Sequence, residues 1–152
     1  MRADIASSDS ETTLAYMGSG NVGGLSWSAD GSELVYSYAM EQVYRINADG
    51  TDNALLIDAP GEIDRYPDWS PDGTTIVFTR WGSPYLLFYD LVSGAETDPE
   101  LTGVGHWNPR FSPDGTRVIF SRGCCEFCTV EPDGSNLLCV SPGFRSHCPR
   151  LL

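Results

Sequence analysis

Short apolar runs recur along the chain at a fixed interval, each bounded by turn-forming residues. Leu34-Val35-Tyr36, Ile76-Val77-Phe78 and Val118-Ile119-Phe120 stand 42 residues apart, followed in phase by Ser37, Thr79 and Ser121. Runs this short, rich in β-branched and aromatic residues, predict strands rather than helices. Each is preceded by an aromatic and a compact turn motif: Trp27-Ser28-Ala29-Asp30-Gly31, Trp69-Ser70-Pro71-Asp72-Gly73 and Phe111-Ser112-Pro113-Asp114-Gly115. Pro presets φ for the first corner of a type I turn and Asp suits the second. Gly takes the left-handed conformation that closes a hairpin with a bulge. Asp30, Gly31, Asp72, Gly73, Asp114 and Gly115 are therefore expected as structural turn residues, and Ala29 keeps the first turn with less preorganisation.

A third strand per repeat follows at Val43-Tyr44-Arg45-Ile46 and Phe127-Cys128-Thr129-Val130, with Leu87-Phe88-Tyr89-Asp90 two residues out of phase in the middle copy. Leu14, Leu56, Leu101 and Leu138 mark a fourth. The second hairpin uses Asn47-Ala48-Asp49-Gly50 and Glu131-Pro132-Asp133-Gly134, with Val92-Ser93-Gly94 as its divergent version. Four short strands per repeat of this length is the period of a propeller blade, whose faces are covered by neighbouring blades. The fold expected is all-β: a β-propeller segment of three four-stranded blades, at roughly 24–60, 66–102 and 108–142.

With its aromatic, Ser-Pro-Asp-Gly turn and β-rich strand repeated three times, the chain resembles the TolB-type, WD-like β-propeller repeat family over residues 12–152. It is also similar to the propeller caps of prolyl-oligopeptidase-type peptidases. The TolB-like resemblance implies a six-bladed ring, of which three repeats are about half. Residues 1–11 read as a disordered segment or the start of a linker, 12–17 as an orphan strand, and 149–152 as the start of another blade. The missing half is expected from a longer chain or from a homodimer that completes the ring. The resemblance also implies a cell-envelope setting, periplasmic or extracytoplasmic, although the N-terminus lacks the basic-then-apolar pattern of a secretory signal.

Charge narrows the partners. Nine Arg and no Lys against 21 acidic residues give a formal net charge of −12 and a pI near 4.3. A surface this acidic repels nucleic acid and anionic membranes, and no stretch approaches the roughly 18–20 apolar residues of a membrane span. The partner expected is a protein or peptide.

Propeller partners are commonly met by the loops that join one blade's last strand to the next blade's first. Those positions carry Arg65, Tyr66, His106, Trp107, Asn108 and His147, and Trp81 in a neighbouring connection should reach the same face. Aromatic and Arg side chains are the residue types that anchor interfaces. All five cysteines lie after residue 123, as Cys124, Cys125, Cys128, Cys139 and Cys148. Cys128 and Cys139 fall on neighbouring strands, and Cys148 could reach Cys124 or Cys125, so disulfides or structural thiols are expected. His147 and Cys148 with Cys-Cys-x-x-Cys could supply four zinc ligands. Zinc sites more often show two well-spaced pairs, however, so no metal or cofactor is expected.

No nucleophile elbow or Lys-bearing phosphate loop is present. The function expected is therefore a non-catalytic propeller scaffold for protein–protein or peptide interaction. The alternative is a non-catalytic propeller portion of a larger enzyme, a hydrolase or a propeller lyase.

Overall fold

The computed structural model describes residues 20–39, 42–82, 86–101, 105–123 and 126–141. Among them are twelve strands and no helix, in three antiparallel sheets of four. Blade 1 is β1 (Val22–Trp27), β2 (Glu33–Tyr38), β3 (Gln42–Asn47) and β4 (Ala54–Ile57). Blade 2 is β5 (Asp64–Trp69), β6 (Thr75–Arg80), β7 (Leu86–Asp90) and β8 (Glu96–Thr97). Blade 3 is β9 (His106–Phe111), β10 (Val118–Arg122), β11 (Glu126–Val130) and β12 (Leu138–Val140). Each sheet is a meander in sequence order, the arrangement of a propeller segment. The segments expected at 1–11, 12–17 and 149–152 lie outside the described residues.

Turn chemistry explains where the hairpins fall. Gly31, Gly73 and Gly115 have φ of +72°, +77° and +72°, and each donates its N–H to the Ser that opens the motif. The turn Asp accepts from that Ser's hydroxyl and from the residue after Gly. The Ser32 amide and hydroxyl hold Asp30 at about 2, and the Ser112 hydroxyl with Thr116 holds Asp114 at about 2. The turn face is thus anionic across the physiological range.

The core lies between blades. Val35, Trp69 and Ile76 form one cluster, and Val43, Ile57, Phe78 and Leu87 another, both spanning blades 1 and 2. Blades 2 and 3 meet through Val77, Leu86, Phe88, Val118, Phe120, Cys128 and Val130. Burying a side chain such as Phe78 contributes about 1.5–3 kcal/mol. Side-chain acceptors also bridge blades: Ser26 Oγ accepts the Trp69 amide at 3.1 Å, and Asp68 Oδ2 accepts the Phe111 amide at 2.7 Å.

The outward faces differ. Trp27 is 55% exposed, whereas its repeat equivalent Trp69 is 7% exposed against blade 1. On blade 3, Ile119, Phe127, Leu138 and Val140 are exposed, and strand register places them on one side of the sheet. The corresponding face of blade 2 is covered by blade 3.

One strand differs from expectation. In blade 2 the fourth strand is Glu96–Thr97, not the stretch around Leu101. The shorter Val92-Ser93-Gly94 turn, closed by Gly94 N–H on Asp90 O, returns the chain to β7 early. Leu101 instead packs on the core between blades 2 and 3.

Candidate functional site

The starts of β5 and β9 and the end of β6 lie at one end of the blades, opposite the Asp-Gly turns. Arg65 lies in β5, Trp81 directly follows β6, and Trp107 lies in β9. Here the Trp81 and Trp107 rings stand 5.2 Å apart, tilted by 52°, and the Arg65 guanidinium lies 5.6 Å from the Trp81 centroid. Two blades therefore build one Arg65–Trp81–Trp107 stack, with Trp81 52% exposed. The Trp81 amide is anchored on Ile63 O at 2.8 Å. Gly105, at φ +64°, leaves room for the Trp107 indole; a Cβ there would come within 2.8 Å of Nε1.

Tyr66 and Asn108 sit one residue beyond Arg65 and Trp107, half-buried and exposed respectively. With Gly24 they occupy the same position in three blades, at φ of +55°, +51° and +56°. Register shifts at these points mark a bulge in every first strand. Left-handed backbone is unusual for Tyr, and bulges commonly re-aim side chains near binding sites. A Cβ on Gly24 would collide with the backbone of Tyr66 and the ring of Pro67.

His106 is a correction. It was expected on the loop face, yet it is fully buried, packed edge-on against Phe120 at 5.0 Å. The first residue of β9 pairs with Arg122 at the end of β10, inside the sheet rather than above it. Burial pushes its imidazole below the ordinary range, assisted by Arg122. His147, Cys124, Cys125 and Cys148 lie outside the described residues.

Beneath the stack is an ion network that repeat reasoning did not single out. Arg80 donates Nε and Nη2 to the two Asp64 oxygens, both at 2.8 Å, and Nη1 and Nη2 to Glu96 at 2.7 and 3.0 Å. Asp64 is almost entirely buried. Burial pushes its carboxyl up while the Arg80 fork opposes this. The hydrogen bonds it donates to Asp64 and Glu96 hold the guanidinium well above its ordinary range. The permanent charge on Arg80 governs the pair, because a guanidinium does not deprotonate in proteins. Asp64 and Arg80 immediately adjoin Arg65 and Trp81, so the network fixes the backbone that carries the stack. Its signal in the sequence was an Asp and an Arg at the two ends of a predicted hairpin.

Two further features complete the map. A cleft of about 310 Å³ is lined by Gln42, Ala59, Pro60, Gly61, Glu62 and Ile63, in the connection leading to Arg65. On blade 3, Cys128 and Cys139 form a disulfide between β11 and β12. The Glu126 carboxylate lies within 4.8 Å of both sulfurs, which are bonded to each other.

No family model matches the chain, and no curated protein matches it. Solved structures do. TolB from Acinetobacter baumannii superposes with a TM-score of 0.68 at 20% identity, over 79% of this chain and 32% of that one. An oligogalacturonate lyase in complex with manganese gives 0.68 at 17%, over 82% and 41%. A nidogen/laminin complex gives 0.70 at 12%, over 80% and 49%. The chain thus has the fold of a β-propeller segment, similar to that of TolB. It spans 32–49% of the length of these neighbours.

Proposed function

We propose that this chain is a non-catalytic binding scaffold whose loop face presents the Arg65–Trp81–Trp107 stack to a protein or peptide. The stack carries the reading: a half-exposed indole has a guanidinium 5.6 Å from its centroid and a second indole, from the next blade, 5.2 Å away. Trp and Arg dominate interface energies, and side chains already held together lose little freedom on binding. The likeness to the nidogen/laminin complex supports a protein partner. The Cys128–Cys139 bond supports an oxidising, extracytoplasmic setting. The exposed apolar face of blade 3 supports a further blade in the working ring, from a longer chain or a second copy, and solution mass separates those two.

A peptide library displayed on phage and selected on the full chain tests the site. Enriched peptides should bind the Trp81→Ala chain roughly 30-fold more weakly, a loss of about 2 kcal/mol. Peptides that bind Arg65→Ala and Trp81→Ala chains as tightly as the parent would overturn the assignment.

The second reading is a propeller portion of a larger enzyme, supported by the likeness to oligogalacturonate lyase. Because such a portion is itself non-catalytic, binding of oligogalacturonate to the chain in the presence of Mn²⁺, measured by calorimetry, distinguishes it.

A further inference from the structure

The donor set on blade 3 has two chemical states, and the second has consequences beyond stapling two strands. Cys128 and Cys139 stand directly opposite one another on β11 and β12, with Cα atoms 4.1 Å apart. Glu126 precedes Cys128 by two residues in β11, so strand alternation sends its side chain to the same face. We propose that reduction of this disulfide turns the corner of blade 3 into a zinc site, with the two sulfurs and the Glu126 carboxylate as ligands.

Tetrahedral zinc binds sulfur at about 2.3 Å and oxygen at about 2.0–2.2 Å, which places neighbouring donors roughly 3.3–3.8 Å apart. In the oxidised chain the two sulfurs are bonded to each other, so after reduction side-chain rotation must part them while the Glu126 carboxylate, within 4.8 Å of both, closes in. Cys128 is fully buried and fixed by the sheet, whereas Cys139 is exposed and Glu126 half-buried. The ion therefore has a route in and a fourth position open to water. Arg122 donates both Nε and Nη2 to Glu126 Oε2, at 3.0 and 2.7 Å, which orients the carboxylate and leaves Oε1 to the metal. Such outer partners fix ligand geometry. Charges also balance: two thiolates and a carboxylate bring three negative charges, and the dication with Arg122 brings three positive.

The chemistry closes without a hidden reagent. A phosphine reductant takes oxygen from water to become its oxide while the disulfide accepts two electrons and two protons as thiols. Zinc then displaces the two thiol protons to solvent and keeps its own oxidation state. A disulfide oxidant reverses the sequence by removing two electrons from the thiolates and expelling the ion.

The test uses the full chain with Cys124, Cys125 and Cys148 replaced by Ser, titrated with zinc chloride against a chromophoric chelator. The phosphine-reduced protein should bind one zinc at least tenfold more tightly than the oxidised protein. Cys139→Ser, at an exposed position, and Glu126→Gln should each weaken binding at least about tenfold. Cobalt(II) in place of zinc should show thiolate-to-metal charge-transfer bands in the reduced parent and lose intensity in Cys139→Ser. Equal affinity of the oxidised and reduced chains would overturn the proposal. So would unchanged binding in either variant, or loss of the β-sheet circular dichroism signal on reduction in the presence of zinc.

Discussion

Replacing Arg80 with Met isolates the ion network beneath the candidate site. Met retains most of the aliphatic bulk that Arg80 lays beside Phe78, whose ring lies 5.4 Å from the guanidinium, and removes four charge-assisted hydrogen bonds. Asp64, 1% exposed at its side chain, is left ionised and without its counter-ion. Removing one member of a buried pair costs about 3–5 kcal/mol. Glu96, 33% exposed, can turn to solvent and adds little. At roughly 2–4 °C per kcal/mol for a chain of this size, the thermal midpoint should fall by about 6–20 °C. The penalty belongs to a charged Asp64. Its folded pKa, already raised by burial, rises further without Arg80, so the penalty is full above that raised pKa and fades as pH falls through it. Urea unfolding followed by tryptophan fluorescence at about pH 7 and about pH 4 reads this directly: the gap between Arg80→Met and the parent should narrow on acidification. An Asp64→Leu/Arg80→Met chain should recover to within about 1 kcal/mol of the parent. A single variant within about 1 kcal/mol of the parent at neutral pH, or a gap that ignores pH, refutes the reasoning.

Gly24→Ala should cost at least about 2 kcal/mol, through left-handed strain and collision with Tyr66 and Pro67, as read by denaturant midpoint. Gly31→Ala, with a similar φ and open space around the Cβ, should cost only about 1 kcal/mol. Because burial lowers the folded pKa of His106, its contribution is fully present above about pH 6.5 and lost as pH falls from there toward the depressed value. His106→Leu should flatten the stability–pH slope in that window, measured by thermal melts. Reducing Cys128–Cys139, which closes a separation of 11 residues, should lower stability by about 2–3 kcal/mol in the metal-free chain, measured by urea unfolding with chelator present.

The blades were legible because their signals are local. A Ser-Pro-Asp-Gly turn closes its own hairpin, and its recurrence every 42 residues counts the sheets without knowledge of their packing. Strand β8 escaped because the middle turn diverged, and a leucine column cannot report a shift made by a shorter hairpin. The stack was partly legible: Arg65, Trp81 and Trp107 were placed on one face by topology, but their mutual contact depends on the tilt between blades. His106 shows the limit of column reasoning. It shares its column with Asp64, and both are buried, since each pairs across the sheet with an arginine. Neither partner is visible until the strand ends are registered. The bulge at Gly24, Tyr66 and Asn108 left little trace, because Tyr is not a residue that advertises positive φ.

The two amide contacts between blades make a gauge of how firmly neighbouring blades hold together. Trp69 N–H and Phe111 N–H point across the interface, to Ser26 and Asp68, rather than along their own sheets. Their deuterium uptake therefore requires adjacent blades to part, while uptake at mid-sheet amides requires a blade to unravel. In an array whose units touch only their neighbours, those processes have separate free energies. Two protons in this chain can time the first without waiting for the second.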